Sequence, residues 1–328
     1  CDGAAFCCIE YGFRPDVYMT ELSKSDQAKY IGWQGAFYNI AKIVASGGLV
    51  YLAGWLVKRF GGVEGASGEV VYEANVHAWM IVMFVMAIVM ISLGLYHTRM
   101  LPSGGAATSE ATSFKETFDK LVEVILDFFK KKHIWYYIAF IILYRFAEGF
   151  VMKIVPLFLK AGREIGGLGL SEQEIGIYYG TYGAAAFVLG SLLAGYYISH
   201  RGLKKTLFSL CCTFNLPFIA YTLLAIYQPT SGMLIGGAIV LEYFGYGFGF
   251  VGLTLFMMQQ VAPGKHQMAH YAFASGIMNL GVMLPGMVSG FVSDWLGYRD
   301  FFIFILFATI PAFLITYFVP FTYPDTKK

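Results

Sequence analysis

Charged side chains are scarce in this chain of 328 residues, where Asp, Glu, Lys and Arg together make up only 13%. A soluble domain typically carries about 25% charged residues. Hydrophobic residues account for 57% of the sequence, and the mean hydropathy is +0.60. This composition excludes a soluble globular domain and predicts a membrane protein embedded in the lipid bilayer. The net charge of +2 gives no indication of a nucleic-acid partner, because the basic residues lie in polar connections.

Residues that bind metals or perform nucleophilic catalysis are also few. The five cysteines show no metal-ligand spacing, and all six histidines fall at the ends of hydrophobic stretches or in loops. The hydrophobic stretches contain no pair of histidines suited to a metal, no Ser/His/Asp set and no His-Glu-x-x-His motif. We therefore predict no metal, no cofactor and no enzymatic activity, although a membrane-embedded enzyme remains the rival of a different class.

Hydrophobic stretches of roughly 20 residues fill most of the chain from Tyr30 onward. Each is long enough to cross about 30 Å of hydrocarbon at 1.5 Å per residue. We therefore predict an all-α multi-pass membrane protein. Its eight predicted spans are 31–57, 77–97, 134–159, 174–198, 205–227, 234–257, 268–292 and 301–320.

The one long connection, 98–133, predicts a linker with a surface helix. It begins with polar residues, continues as an amphipathic run from Phe114 to Phe129, and ends in the three lysines 130–132. Basic residues are concentrated in this connection and in alternate loops, which predicts that those loops are cytoplasmic. Eight spans then place the C-terminus on the cytoplasmic side as well.

The spans at 77–97, 205–227 and 301–320 carry no charge between their ends. Counted backwards from the C-terminus, every third span is uncharged, and we expect these three to face lipid. A period of three helices is typical of transporters built from nested inverted repeats.

Charges lie near the middle of the span 134–159, where a charge costs at least about 2.5–3.5 kcal/mol. Arg145 and Glu148 are three residues apart and share a helix face. They predict either a substrate clamp beside a titratable carboxylate or a buried ion pair that holds helices in register. Lys153 lies nearer the outer end of the span, and we expect its side chain either to contact the substrate or to extend to the membrane surface. Pro156 is expected to loosen the outer end of this helix.

Glu242 is the charged residue of the span 234–257. A carboxyl group at this depth can carry a proton, and Glu148 is the other candidate for that role. Alternatively, Glu242 forms a structural ion pair with Arg145 or Lys42. Three glycines follow in a Gly-x-Gly-x-x-Gly pattern, Gly247, Gly249 and Gly252. They lie inside an apolar span with no strand before them, so we expect them to permit close helix packing rather than to bind a dinucleotide.

Further polar and aromatic residues are substrate-binding candidates. Gln34, Tyr38, Lys42 and Ser46 recur every four residues, which predicts a polar stripe facing either a cavity or a neighbouring helix. Aromatic faces suited to a sugar ring, or to ordinary packing, come from Tyr178, Tyr179, Tyr182 and Tyr246, and Asn279 is a weaker polar candidate. The pairs Gly176/Gly180 and Gly286/Gly290 predict helix contacts.

Several of these segments resemble a known family. The segment from Gly195 to Lys205 is similar to the loop motif Gly-x-x-x-Asp-Arg-x-Gly-Arg-Arg of the major facilitator superfamily, although the Asp is missing. It retains Gly195, Arg201, Gly202, Lys204 and Lys205 as a gating-loop motif. More specifically, residues 34–38, 144–149, 242–249, 270–276 and 289–298 resemble the AmpG-like muropeptide permeases.

This resemblance implies a major facilitator helix bundle with about 8 of 12 transmembrane helices present. Residues 1–29 would precede helix 5, 30–97 would form helices 5 and 6 of the N-terminal half, 98–133 the central cytoplasmic linker, and 134–328 the C-terminal six-helix half. Residues 1–15 depart from the family pattern, so the chain is expected to be N-terminally truncated.

The resemblance also implies a function. A monomer in the bacterial inner membrane would import anhydro-muropeptides together with protons by alternating access. Arg145 and Lys42 would meet acidic groups of the substrate, and Glu148 or Glu242 would take the proton. The alternatives are a carrier for another solute, such as a sugar, peptide, drug or acyl-CoA-like compound, and a truncated membrane protein that does not transport.

Overall fold

The computed structural model describes residues 23–62, 67–100 and 114–324, and every regular element within these ranges is helical. The first elements are α1 (Lys24–Ile43), a π-helical segment (Val44–Leu49), α2 (Val50–Arg59), α3 (Gly68–Met100) and α4 (Phe114–Phe129). The next are α5 (Ile134–Tyr144), α6 (Phe146–Lys160), the short α7 (Glu172–Ile175), a second π-helical segment (Gly176–Gly183) and α8 (Ala184–Arg201). The last are α9 (Leu203–Asn215), α10 (Phe218–Tyr227), α11 (Gly232–Phe256), a third π-helical segment (Met257–Val261) and α12 (Gln267–Tyr317).

Helices occupy all eight predicted spans. Five helices within the described ranges are long and apolar enough to cross a membrane, and the last of them, Gln267–Tyr317, contains two of the predicted spans. That helix is broken at Gly297, where the backbone adopts φ 73° and ψ 162°. Glycine accepts this positive φ without steric cost, so the chain can reverse direction between the two spans. The helix predicted over Phe114–Phe129 is also present.

The chain divides into two compact units, and the smaller one contains residues 37–109. Within it, α2 and α3 pack through small side chains, with Ala53, Leu56, Ala78 and Val82 buried. Most of the remaining apolar surface of α3 is exposed. That the span 77–97 faces lipid stays a prediction.

The larger unit contains residues 19–36 and 110–328. Its main core joins α6, α10, α11 and the second half of α12. Aromatic rings fill the centre, where Phe158 packs against Phe302 with ring centroids 4.9 Å apart, and Tyr221 stacks on Phe302 at 5.9 Å. The first half of α12 instead packs along α5 and α6, where Gly149 and Gly281 allow the backbones to approach closely.

Glycines on α11 let it lie directly against two neighbours. A Cβ atom added at Gly247 would clash with the backbone oxygen of Phe187 on α8, and one at Gly245 would clash with the backbone oxygen of Thr213 on α9. Gly249 and Gly252 likewise face side chains of α9. The Gly-x-Gly-x-x-Gly pattern is therefore a packing feature, as expected from its position inside an apolar span.

The helix through the span 134–159 breaks at Arg145 and not near Pro156. Arg145 has φ −107° and ψ 6°, which ends α5 and begins α6. α6 continues through Pro156 to Lys160, so the expectation that this proline loosens the outer end is wrong. Proline removes the hydrogen-bond donor to the backbone oxygen of Met152, four residues earlier, yet the helix continues past it.

Within the larger unit, the helix α4 is held in place by a buried ring and an exposed ion pair. Phe128, only 1% exposed, packs between Phe273 and His270, and His270 Nε2 lies 3.2 Å from the backbone oxygen of Val124. At the surface, Lys265 Nζ donates to Glu123 Oε1 over 2.7 Å, which lowers the pKa of Glu123.

The side chain of Lys131 caps the C-terminal end of the third π-helical segment. Its ammonium group donates to the backbone oxygens of Val261, Ala262 and Pro263 at 2.7, 3.0 and 2.6 Å. These carbonyls follow the last helical turn and have no intrahelical donor. Partial burial lowers the pKa of Lys131 to about 8, and the Asp127 carboxylate opposes this shift.

The contact between α11 and α8 leads to a stability prediction. Gly247→Ala should lower the free energy of unfolding in detergent by about 1–3 kcal/mol, because the new methyl group overlaps the backbone of α8. Gly237→Ala is the matched control on the same helix, since nothing lies within 4 Å of its Cβ position. It should be neutral or stabilising by about 0.5–1 kcal/mol. Equal effects of the two substitutions on the melting temperature would contradict this packing.

Candidate functional site

The charged residues of the span 134–159 form a closed pair. Arg145 Nε and Nη2 donate to Glu148 Oε2 and Oε1 at 2.5 and 2.6 Å, a bidentate arrangement on one helix face. The two residues are 5% and 2% exposed. A bidentate pair of opposite charges is the arrangement that best offsets the desolvation of both groups.

Aromatic rings of α11 cover the guanidinium group. Arg145 Cζ lies 5.2 Å from the ring centroid of Phe250 and 5.9 Å from that of Tyr246. On the preceding residue, the Tyr144 hydroxyl donates to the backbone oxygen of Gly249 over 2.9 Å, which fixes the end of α5 against α11. Cation–π contact with these rings adds to the ion pair in this buried site. Tyr246 therefore contacts Arg145 directly.

Glu242 is not a member of this ion pair and has a neutral partner. It is 9% exposed, and its Oε2 accepts a hydrogen bond from the Tyr221 hydroxyl over 3.4 Å. Its neighbour Tyr243 packs edge-on against Tyr179, with centroids 5.1 Å apart. Among the described residues, no Lys, Arg or His forms a salt bridge with Glu242. An ionised carboxylate buried in this way is costly, whereas the protonated form is not.

The structure distinguishes the predicted ion-pair partners of the two carboxylates. Arg145 pairs with Glu148 and does not pair with Glu242, so that pairing is wrong for the arrangement seen here. The other suggested partner, the side chain of Lys42, lies outside the described part of the structure. The two carboxyl groups therefore differ in environment, since one is neutralised by a cation and the other contacts a hydroxyl group.

Lys153 and Asn279 lie on exposed faces of neighbouring helices. The stem of Lys153 runs over Gly286 of α12, where an added Cβ atom would meet Lys153 Cγ at 3.5 Å. Asn279 is exposed and lies seven residues before Gly286, which places both on one side of α12. The structure thus brings a cation and an amide to neighbouring parts of one surface.

The aromatic candidates divide by environment. Tyr178 lies against Gly232 and Gly236 of α11, while Tyr182 is 53% exposed. In the part of the chain that the structure describes, nothing lies within 4 Å of the Cβ position of Gly176 or Gly180, so the predicted helix contact of this pair is wrong there. The wider turn of the π-helical segment Gly176–Gly183 shifts residues away from the register of a regular α-helix.

The polar stripe of the first span is only partly regular. Gln34 is half-buried and Tyr38 is 40% exposed, both on α1. The backbone becomes π-helical at Val44, so the four-residue repeat that led to Ser46 ends before that residue. The side chains of Lys42 and Ser46 lie outside the described part of the structure.

The gating-loop motif lies where α8 meets the start of α1 and α9. A Cβ atom added at Gly195 would lie 2.8 Å from the backbone oxygen of Ala28, and one at Gly32 would clash with that of Ser191.

The rest of the motif forms the connection between α8 and α9, where Gly202 adopts φ 82°. Arg201 stacks on Tyr197, with Cζ 5.5 Å from its centroid. Lys204 and Lys205 begin α9.

Sequence reasoning missed Tyr221, the partner of Glu242. This tyrosine lies in the span 205–227, which was expected to face lipid because it has no charge. One side of the span does expose apolar residues such as Leu216 and Leu223, but Tyr221 on the other side is fully buried. A tyrosine in the middle of an apolar span was the available signal, since buried hydroxyl groups require a partner.

Long apolar helices that enclose a buried ion pair and a second buried carboxyl group are typical of a multi-pass membrane protein with a polar interior. Residues 17–262 and 166–328 match the family model described as Major Facilitator Superfamily. The chain therefore belongs to the Major Facilitator Superfamily, a family of transporters for small-molecule solutes.

Curated relatives are similar to this chain at low identity. The "Putative transporter AmpG 2" of Rickettsia typhi is 24% identical over 217 residues, covering 62% of this chain and 48% of the relative. The "Anhydromuropeptide permease" of Escherichia coli K12 is 24% identical over 195 residues, covering 60% and 38%. An "Uncharacterized protein" of Haemophilus influenzae is 24% identical over 261 residues, covering 77% and 59%. The chain is thus AmpG-like, and it spans about half the length of these relatives.

The ion pair leads to a second prediction. Arg145→Met or Glu148→Met alone should destabilise the protein by about 3–5 kcal/mol, because each leaves an uncompensated buried charge. The double variant Arg145→Met/Glu148→Met should be more stable than either single variant. Unfolding in detergent measures this coupling, and additive losses would contradict a direct pair.

Proposed function

We propose that this protein is a proton-coupled secondary transporter that imports anhydro-muropeptide by alternating access. The name of the Escherichia coli relative, an anhydromuropeptide permease, supports the substrate class, and that of the Rickettsia typhi relative supports a transporter. The observation that carries the proposal is the contrast between the two buried carboxyl groups, of which Glu148 is held by Arg145 and Glu242 contacts only a tyrosine hydroxyl among the partners described above.

Glu242 is the better candidate for the transported proton. A carboxyl group can exchange a proton only if its neutral and ionised forms have similar free energies during the cycle. Burial without a cation favours neutral Glu242, and contact with water in another conformation would allow it to ionise. Glu148 is less suited, because Arg145 stabilises its ionised form. We therefore assign proton binding to Glu242 and a supporting role to Glu148.

The exposed polar and aromatic side chains are the primary candidates for contacts with the substrate. Lys153 and Asn279 can meet the carboxylates and amides of a peptide without rearrangement, and Tyr182 offers an exposed ring for a sugar face. Arg145 is closed off by Glu148 and Tyr246, so its role as a clamp requires the ion pair to open during transport. Gln34, Tyr38, Lys42 and Tyr178 remain secondary candidates.

We further propose that the protein lies in the bacterial inner membrane as a monomer with its C-terminus in the cytoplasm. The concentration of Lys and Arg in alternate loops supports this orientation. In this view 30–97 belongs to the N-terminal half, 98–133 is the central linker that contains α4, and 134–328 is the C-terminal half.

Transport in proteoliposomes tests the substrate and the coupling together. The protein, expressed with the full length of its reading frame, should accumulate labelled anhydro-muropeptide when an inward proton gradient is imposed. Glu242→Gln should abolish accumulation but retain part of the exchange activity, because a permanently neutral group still permits conformational change without proton transfer. Glu73→Gln, which alters an exposed carboxylate on α3, is the matched control and should transport normally.

Equal loss of accumulation and exchange in Glu242→Gln would contradict the coupling assignment. Accumulation of a sugar, peptide, drug or acyl-CoA-like compound instead of muropeptide would retain the carrier and replace its substrate. Absence of any uptake by folded protein would favour a membrane protein that does not transport.

Alternating access gives a fourth prediction at the contact between α1 and α8. Gly32→Ala should slow uptake about tenfold, because its methyl group prevents α1 from closing against Ser191. Gly35→Ala is the matched control on the same helix, since its Cβ would meet Ser191 Cβ at an ordinary 3.6 Å. Equal uptake rates for the two variants would show that this contact does not take part in the cycle.

A further inference from the structure

A basic cleft lies at one end of the larger unit, separate in kind from the buried charges described above. Its volume is about 390 Å³, and it opens between the α8–α9 connection and the segment that follows α12. The side chains that matter for binding are those of Arg201, Lys204, Lys205, Phe321 and Tyr323.

The cleft is strongly cationic. Among the described residues that line it, three are Lys or Arg and none is Asp or Glu. A fourth cation, Lys24, reaches its edge by donating from Nζ to the backbone oxygen of Pro324 over 2.7 Å. Arg201, Lys205 and Lys24 bring positive charge to one concave surface, which favours the binding of an anion there.

The backbone at the start of α9 also favours an anion. Gly202 is the N-terminal capping residue and provides no side-chain acceptor for the first N–H groups of this 13-residue helix. Thr206 Oγ1 donates to the Gly202 oxygen at 2.9 Å. The uncapped N–H groups therefore add to the positive side chains, as in many phosphate sites.

The opposite wall of the cleft is fixed by a buried glutamine. Gln260, 3% exposed, accepts from the backbone N–H groups of Thr322 and Tyr323 at 2.9 and 3.0 Å, and it donates to the Tyr323 oxygen at 3.0 Å. The Tyr137 hydroxyl lies 2.6 Å from Thr322 Oγ1. These bonds hold the segment after α12 in one position, so the cleft is preformed.

We propose that this cleft binds the phosphate headgroup of an anionic glycerophospholipid. The connection between α8 and α9 joins two candidate membrane spans, so it lies at the membrane surface, at headgroup depth. Phe321 and Tyr323 offer the aromatic surface that is typical of this depth. Basic pockets between transmembrane helices are suited to anionic headgroups. The site is independent of the transported solute, so it does not rest on the proposed function.

Lipid titration of the purified full chain tests this site. In native mass spectrometry, phosphatidylglycerol should bind at least about tenfold more tightly than zwitterionic phosphatidylcholine. Lys204→Gln/Lys205→Gln should weaken phosphatidylglycerol binding about fivefold for each charge removed. Lys204→Arg/Lys205→Arg should bind as the unaltered protein does, because it keeps both charges. The single variant Lys205→Gln gives an independent readout if the double variant fails to fold.

The matched control is Lys130→Gln/Lys132→Gln, which removes two exposed charges outside the cleft. It should change binding by less than about twofold. An equal loss in this control, or no preference for phosphatidylglycerol, would overturn the proposal. Glycerol 3-phosphate is the soluble probe, and binding as tight as that of the lipid would assign the cleft to a free phosphate and overturn the lipid assignment.

Discussion

The cost of placing charge in an apolar helix bundle governs the arrangement of this protein. Arg145 and Glu148 meet that cost through a bidentate pair, and Tyr246 and Phe250 cover the guanidinium group. The helix breaks at Arg145, so the pair lies at the point where α5 and α6 change direction. Glu242 has only the Tyr221 hydroxyl among these described contacts, and a neutral carboxyl group satisfies the same physical requirement without a cation.

Close helix packing supports this electrostatic arrangement. Gly245 and Gly247 allow α11 to lie between α9 and α8, which brings the rings of α11 against Arg145 and the Glu242 side chain toward α10. Near the membrane surface a charged side chain is less costly. Charged groups outside the buried core contact backbone oxygens or line a cleft instead. Lys131 closes a helix end, and Lys204 and Lys205 line a cleft whose other wall is fixed elsewhere.

Apolar length predicted the helices because a membrane-crossing segment must satisfy its backbone internally. The same reasoning placed Arg145, Glu148 and Glu242 as the unusual residues of the bundle. It failed where packing controls local geometry. The polar stripe ended at a π-helical segment, Pro156 left its helix intact, and the span 205–227 provided the partner of Glu242 on one face. The contact between Tyr221 and Glu242 does not follow from periodicity, because it depends on how two helices pack.

The amino-acid sequence by itself determined that this chain is an all-helical membrane protein with rare buried charges, since hydropathy and charge spacing are local properties. Only the tertiary structure decided that Arg145 pairs with Glu148 and that Tyr221 contacts Glu242. Residues distant in sequence meet according to how helices pack, and in this bundle glycine contacts set that packing. The same holds for the basic cleft, because Lys204 and Tyr323 are brought together by the fold and by the hydrogen bonds of Gln260.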